Sequence, residues 1–269
     1  MRPVSKLFLP PPSLSGCVLV AVFRDTRGAG LSAEDRISHF PASPMVTVTR
    51  VLQGDLYLIP AGGDRRVASD ARSLPSNFAM GPQDGPISSW ASGDVTALTI
   101  GFYPDAWRTL EGDEGCSSIP HSIALALEEF ASASDTEVGW DGFCDKLGQV
   151  WRQTHETTGV GDWVKSLILR AALSGSGRSL RSIERRVKRL TGSTQQTLQF
   201  FAAFERLQEI VHDNAGHPLA EIALTAGYAD QSHMGRAVRR ATGFSPARLN
   251  CAIQTEEAFW CYRLLGERF

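Results

Sequence analysis

The sequence predicts an α+β fold, with a β-rich N-terminal region, helices after it, and then an all-α region. From Leu14 to about Pro104, short apolar or alternating stretches are separated by Gly, Pro, Asp and Ser clusters, which is the spacing of strands in a sandwich or small barrel. After Pro104, apolar residues recur at intervals of three and four, as in amphipathic helices. Residues 1–159 hold 12 Lys+Arg against 19 Asp+Glu, whereas residues 160–250 hold 13 against 7. This asymmetry is typical of a polyanion-binding module joined to a domain of another kind.

Composition limits the class of protein. A length of 269 residues allows one large domain or two modest ones, and 42% apolar residues can form a core. Apolar runs such as Val18–Phe23 are far shorter than the roughly 18 residues of a membrane span, and Pro3 and Pro10–Pro12 stand where a secretory signal would be apolar. We therefore expect a cytoplasmic, nucleoid-associated protein with no membrane partner. The five cysteines are an odd number and form no CxxC pair, which argues against a disulfide framework and against a zinc ribbon. We expect no bound metal and no cofactor.

The elements follow in order along the chain. We expect strands near residues 17–23, 45–51, 55–59 and 95–102, and then amphipathic helices at Ile119–Ala131 and Trp140–His155. Gly159-Val160-Gly161 resembles a joint between domains. The expected division is a domain at 1–158, with strands over about 14–104 and helices over about 119–156, then an all-α domain at 162–250 and an apolar helical tail at 251–269.

A helix, tight turn, helix pattern lies between Pro218 and Arg240. Gly227 can adopt the positive φ that ends the first helix, and Asp230 can cap the second. The small Ala223 lets the two helices cross closely. The apolar positions that would face inward are Leu219, Ile222, Ala223, Ala226, Met234, Ala237 and Val238. The second helix presents Gln and Arg side chains outward, and these suit the adenine and guanine edges of a DNA major groove.

A second helix of this kind lies upstream, between Ser179 and Gly192. Ser179 is a plausible N-cap and Gly192 a plausible stop. Six of the residues from Arg178 to Arg189 are basic and one is acidic. The apolar helix predicted at Thr197–His212 would hold the two units at a fixed separation.

These motifs resemble the C-terminal DNA-binding region of the AraC/XylS family of bacterial transcription regulators. The resemblance covers about residues 162–250 and is carried by the following segments: Ile183–Arg186, Thr191-Gly192, Glu221–Ala223, Gly227–His233, Arg236 and Thr242–Pro246. It implies two helix-turn-helix units joined by one linker helix, with reading helices that enter two successive segments of the major groove. It also implies double-stranded DNA and RNA polymerase as partners, and we expect a homodimer that responds to a small-molecule effector.

The same resemblance assigns roles to individual side chains. The set implied to face bases is Arg181, Glu184, Arg185, Gln231, Ser232 and Arg236. The set expected to face phosphates is Ser179, Arg186, Arg189, Arg239 and Arg240. The first unit departs from the pattern, because its turn can use Gly175, which gives a longer turn than in the second unit, or Gly177, which places Leu173 where the second unit has an alanine.

The β-rich region resembles the cupin-like sensory domains that many members of this family carry. We name Arg50, Tyr57, Phe78, Trp90 and Phe102 as candidates for lining an apolar ligand pocket, although core packing explains each of them as well. Of the six histidines only His39 lies among the predicted strands, too few for a cupin metal site.

An alternative function is an enzyme, such as an alkylation-repair protein, fused to the DNA-binding module. It would need a reactive cysteine among Cys or His ligands, and no cysteine has such neighbours in the sequence. We therefore expect no catalytic activity. The tail carries Ala258, Phe259, Trp260, Tyr262, Leu264, Leu265 and Phe269 among five charged residues, so we expect it to pack as a helix against the rest of the protein or a second subunit.

Overall fold

The computed structural model describes residues 1–59, 73–111, 119–152, 157–174, 179–213 and 217–269. The strands within these ranges are β1 Val4–Phe8, β2 Val18–Asp25, β3 Ile37–Phe40, β4 Val46–Gln53, β5 Leu56–Ile59, β6 Asn77–Met80, β7 Ile87–Ala91 and β8 Thr96–Phe102. The helices are α1 Pro104–Glu111, α2 His121–Ser132, α3 Thr136–Gly148, α4 Val160–Leu173, α5 Leu180–Thr191, α6 Gln195–Asp213, α7 Leu219–Thr225, α8 Gln231–Thr242, α9 Pro246–Thr255 and α10 Trp260–Gly266. The predicted α+β class, with strands first and helices after, is confirmed.

The strands form two antiparallel sheets. One has the order β1-β2-β8-β4-β6 and the other β3-β7-β5. β8 is the central strand of the larger sheet, where it pairs with β2 and β4. Six of its seven residues are buried, because one face packs on helices and the other faces the smaller sheet. This explains why β8 reads as a nearly continuous apolar run in the sequence.

The sheets begin earlier than the sequence indicated. The expected start at Leu14 is wrong, because β1 pairs along its whole length with β2 and buries Phe8. β1 is a five-residue edge strand whose sequence shows no regular alternation, so its conformation depends on its neighbour rather than on its own pattern. The short strands β3, β6 and β7 were missed for the same reason.

Helices α2 and α3 form a hairpin on the larger sheet. Asp135 caps α3 by accepting from the backbone N–H of Glu137 at 2.8 Å. Trp140 stacks on Phe8 with ring centroids 5.4 Å apart. The helix predicted to reach His155 ends at Gly148, because the chain turns there and buries Trp151. His155 lies outside the described residues.

A single core runs from the β-rich region into the helical region. It joins sheet residues such as Val48 and Ile100 to Leu167 of α4, Val187 of α5 and Leu198 of α6. A separate core is formed by α7, α8, α9, Phe204 and Leu207 of α6, and the last residues of the chain. The first helix-turn-helix unit therefore shares its core with the N-terminal region, which comprises the described residues up to 152, while the second unit has a core of its own.

The tail is packed within the chain, as predicted, but it is not one helix. α9 ends at Thr255, Glu256 is extended, and a short 3-10 helix at Glu257–Phe259 leads into α10. Phe259 and Trp260 are both buried.

Candidate nucleic-acid interface

The turn between α7 and α8 has the geometry that its sequence predicts. Gly227 has φ +84°, a conformation that favours glycine. The Tyr228 N–H donates to the Ala223 carbonyl at 2.8 Å. The Asp230 carboxylate caps α8 by accepting from the His233 N–H at 2.7 Å. Ala223 is fully buried, which allows α7 and α8 to approach closely.

α8 has one buried and one exposed face. Met234, Val238 and Ala241 are buried against the second core. The outer face carries exposed side chains at all five positions for which a DNA contact was predicted: Gln231, Ser232, Arg236, Arg239 and Arg240. A polar, positively charged surface on a fixed helix is what major-groove recognition requires.

Arg240 has an intramolecular partner as well. Its guanidinium lies 4.0 Å from the ring centroid of Phe200 on α6. This cation–π contact restricts the side chain while leaving it exposed. The contact of Phe200 with Arg240 had no signal in the sequence.

α5 is capped at both ends. The Ser179 hydroxyl accepts from the Ser182 N–H at 3.3 Å, and Gly192 ends the helix with φ +76°. Val187 is fully buried on the inner face. The predicted contact residues that the structure places on the exposed face are Arg181, Glu184, Arg185 and Arg189.

Arg186 is placed differently. It is half-buried, and its guanidinium donates to the carbonyl of Ala171, in the last turn of α4, at 2.7 Å. A cation at this position is stabilised by the C-terminal end of the helix dipole. Arg186 therefore joins the two helices of the first unit, and its placement does not support the phosphate contact predicted for it.

The turn of the first unit, with Gly175 and Gly177, lies outside the described residues. The described residues just before this turn show which small residue lies at the helix contact. Leu173 is 76% exposed, whereas Ala171 is fully buried. Ala171 is therefore the small residue at the helix contact, as Ala223 is in the second unit.

The two exposed helices end in the same way. Thr191 and Thr242 each donate a hydroxyl hydrogen bond to the carbonyl four residues earlier, at 2.9 and 2.8 Å. Each hydroxyl also accepts a backbone N–H two residues later, at 3.1 Å in both cases. The Thr-Gly pair that occurs twice in the sequence thus ends both helices through the same hydrogen bonds.

Both units are held against the N-terminal region. On the first unit, Asp105 of α1 accepts from Trp163 Nε1 at 2.8 Å and from Arg170 Nη2 at 2.6 Å. On the second unit, the Ala42 N–H donates to the Ala241 carbonyl at 2.7 Å. The bond between Ala42 and Ala241 fixes the end of α8 to the loop between β3 and β4.

A cavity of about 210 Å³ lies between the two sheets and extends to the helical region. Its walls come from the sheets and from α6 and the last residues of the chain. Most of the lining is apolar, and the helical side contributes Val160 of α4 together with Phe201, Phe204, Glu205, Gln208, Cys261, Leu265, Arg268 and Phe269. Thr47 Oγ1 is buried in the wall without a hydrogen-bond partner among the described residues.

Of the five pocket candidates, only Phe78 lines this cavity. Phe102 is fully buried and packs on Trp107. Tyr57 and Trp90 pack on each other, with ring centroids 5.6 Å apart. Arg50 pairs with Glu128 of α2 at 3.2 Å. These four residues stabilise the fold, because their side chains face neighbouring elements rather than the space between the sheets.

Other site types gain no support from the described part of the chain. It contains no group of three or more His, Cys, Asp or Glu that could hold a metal. None of its helices combines the length and apolar character needed to cross a bilayer. Burial raises the pKa of Cys144 and of Cys261 to about 12, which suppresses the reactive thiolate.

Comparison with known proteins identifies the helical region. Residues 175–250 match a family described as a helix-turn-helix domain. The search among curated proteins gave no match.

Solved structures give more distant similarities. The crystal structure of ToxT from Vibrio cholerae O395 is 13% identical, covers 79% of this chain and 92% of its own, and has a TM-score of 0.40. An apo ToxT variant from strain SCE256 is 9% identical, with coverage of 92% and 96% and a TM-score of 0.42. ToxT bound to (E)-4-(8-methylnaphthalen-1-yl)but-3-enoic acid is 11% identical, with coverage of 92% and 98% and a TM-score of 0.40. The family match shows that residues 175–250 of this chain form a helix-turn-helix domain.

Proposed function

We propose that this protein is a sequence-specific DNA-binding transcription regulator whose N-terminal region senses a small apolar molecule. The observation that carries the proposal is the capped helix α8, with a fixed inner face and an outer face of Gln, Ser and Arg side chains. The matching end of α5 supports a second reading helix. Two such helices on one face would enter successive segments of the major groove.

The side chains divide into two roles. Gln231, Ser232 and Arg236 lie in the first half of α8, where reading helices contact base edges, and Arg236 suits guanine. Arg239 and Arg240 lie in the last turn and suit phosphates, as Arg189 does on α5. On α5, Arg181 and Arg185 are the base-reading candidates, while Glu184 can accept only from cytosine.

The sensory role rests on the cavity. Its apolar walls favour an apolar ligand, and the unpartnered Thr47 hydroxyl offers a hydrogen bond to a polar group on it. Bound acids are named for two ToxT structures; for this chain the proposal depends on the cavity and its lining alone. We further propose that the protein is a homodimer, because a second copy doubles the DNA contacts. We also propose that it contacts RNA polymerase.

The first prediction tests the two roles on α8. A duplex selected from a random pool by the full-length protein is titrated at several salt concentrations. Arg236→Ala should lose about 1–3 kcal/mol and relax discrimination at one base pair. Arg240→Ala should weaken all sequences alike and lower the salt slope by about one.

Two further variants control this experiment. Arg239→Ala removes a charge from the same turn of α8 without touching Phe200, so it separates phosphate binding from the cation–π contact. Arg206→Ala removes an exposed arginine from α6 and should leave discrimination unchanged. Equal weakening of selected and random DNA by Arg236→Ala and Arg240→Ala would show that the two roles are wrongly assigned.

A further inference from the structure

Residues 257–269, here called the C-terminal segment, contact three separate parts of the molecule. The first part is formed by the larger sheet and by β3 of the smaller sheet. Arg24 of β2 forms an ion pair with Glu257, and its guanidinium lies 4.9 Å from the ring centroid of Trp260. Trp260 Nε1 donates to the Ser38 hydroxyl at 2.8 Å. This end of the segment is therefore fixed to the N-terminal region by polar contacts and by ring packing.

The second part is the second helix-turn-helix unit. Phe259 and Tyr262 belong to its core, together with residues of α7, α8 and α9. Arg263 Nη1 donates to the carbonyls of Ile253 and Glu256 at 2.8 Å each. These bonds satisfy carbonyls at the end of α9, so the segment completes the unit that carries α8.

The third part is the cavity. Arg268 Nη1 lies 2.7 Å from Glu205 Oε1, and both side chains are almost fully buried. Arg268 Nη2 also donates to the carbonyl of Thr158 at 3.1 Å. Leu265, Arg268 and Phe269 line the cavity. The same segment that connects the N-terminal region to the second unit thus forms one wall of the proposed ligand site.

This wall can move at a lower cost than the walls formed by strands. The opposite walls are strands held by backbone ladders, whereas the C-terminal segment meets them through side chains. Glu205 would keep partners if Arg268 left, because it also accepts from the N–H of Val160 at 2.9 Å and of Gly161 at 2.8 Å. The N-terminus of α4 stabilises the remaining carboxylate. Displacement of Arg268 would therefore not leave an unpaired charge in the interior.

We propose that the C-terminal segment is the movable wall of the cavity and couples its occupancy to the position of α8, with the Arg268–Glu205 pair as the contact that opens. The inference rests on the proposed sensory function. A molecule larger than the cavity displaces Leu265, Arg268 and Phe269. α10 transmits this displacement to Phe259 and Trp260, which join the second unit to the sheet.

Hydrogen exchange of the full-length protein tests the coupling. The probe is N-phenyl-1-naphthylamine, an uncharged apolar dye whose fluorescence reports binding. Dye binding should accelerate exchange of amides in the C-terminal segment and of the Ala42 amide, which donates to Ala241 of α8. Arg268→Met without dye should accelerate the same amides on the order of tenfold, because a charge-assisted bond that holds the wall is lost. The exchange rates of amides in β2 and β8 should be unchanged both on dye binding and in Arg268→Met.

The matched control is Arg206→Met, the same substitution at an exposed arginine one residue after Glu205, and it should exchange as the parent protein does. If Arg268→Met fails to fold, Ser38→Ala is used instead. It removes the hydrogen bond between Trp260 and the Ser38 hydroxyl and should raise the exchange rates of the same amides. Dye binding without acceleration, or unchanged exchange in the variant that folds, would overturn the coupling. Absence of dye binding would count against the sensory function instead, and the variants alone would then decide whether the segment holds α8 in place.

Discussion

His39 joins the N-terminal region to the second helix-turn-helix unit through its ring. The ring centroid lies 5.5 Å from that of Phe244 and 4.9 Å from that of Phe259, and Nδ1 is 2.8 Å from the Ser88 hydroxyl. Burial lowers the pKa of His39 below its ordinary value of 6.5, and Arg248 lowers it further while Glu256 opposes the shift. The packed arrangement therefore favours the neutral ring.

The second prediction follows from the sign of this shift. The pKa of His39 is lower in the folded protein than in the unfolded chain. The contribution of the neutral ring to the free energy of unfolding is therefore fully present above about pH 6.5 and is lost as the pH falls through the folded pKa. His39→Phe keeps an aromatic ring in place but cannot titrate, so the melting temperature should fall less between pH 7.5 and pH 5.5 than in the parent protein. His121→Phe, at an exposed histidine, serves as the control. An identical pH dependence in all three proteins would show that His39 does not sense protonation at this contact.

Single residues of the second unit were predictable because their signals are local. A glycine with positive φ, a capping aspartate and an alanine at a helix crossing each leave a mark within a few residues of sequence, and Gly227, Asp230 and Ala223 occupy these positions. Arg186 shows the limit of such reasoning. Whether a basic side chain points outward or back to the preceding helix depends on a carbonyl 15 residues away.

At the scale of elements, the second helix-turn-helix unit is incomplete without the C-terminal segment. The third prediction is that deletion of residues 254–269 lowers the melting temperature strongly, because Phe259, Trp260 and Tyr262 are all buried. Removing one such aromatic side chain typically costs about 3–5 kcal/mol. Phe259→Ala should reproduce a large part of the effect, whereas Leu169→Ala, at a side chain 60% exposed, should have little. An unchanged melting temperature in the truncated protein would show that residues 254–269 do not contribute to stability.

Elements were predicted best where they are long and periodic. The linker helix expected at Thr197–His212 is α6, Gln195–Asp213. The strands β1, β3, β6 and β7 have four or five residues each and form through pairing with distant strands, so a local pattern could not reveal them. The break at Glu256 was also missed, since it depends on Arg263 binding carbonyls at the end of α9.

At the scale of the whole molecule, the continuous core sets the unfolding behaviour. The fourth prediction is that the N-terminal region and the first unit unfold in one calorimetric transition, because residues from Phe8 to Phe201 share that core. Asp105→Asn, which weakens the contacts with Trp163 and Arg170, should shift this transition downward without splitting it. Separate melting of α4 and the sheets, detected by hydrogen exchange along the same temperature series, would contradict the shared core.

The division of charge along the chain predicted a basic helical module, but it could not predict the cavity. The cavity walls bring β2, β4, β6 and β8 together with Glu205 and Arg268, residues that approach only when the fold is complete. The pocket candidates taken from the sequence were chosen for size and polarity, and four of the five serve the packing of neighbouring elements instead.

The shared core also bears on how such regulators can be recombined. In the sequence, Gly159 resembles a joint between domains, and a chimera made by a cut there is expected from the sequence alone to transfer an intact DNA-binding module. In this protein the cut would leave Val187, Leu198 and Phe201 without the sheet and helices that cover them. A new N-terminal domain would have to supply an apolar surface of matching shape, a hydrogen-bond acceptor in the place of Asp105, and a packing surface for Trp260. Exchange of the N-terminal domain is therefore restricted to domains that already fit this surface.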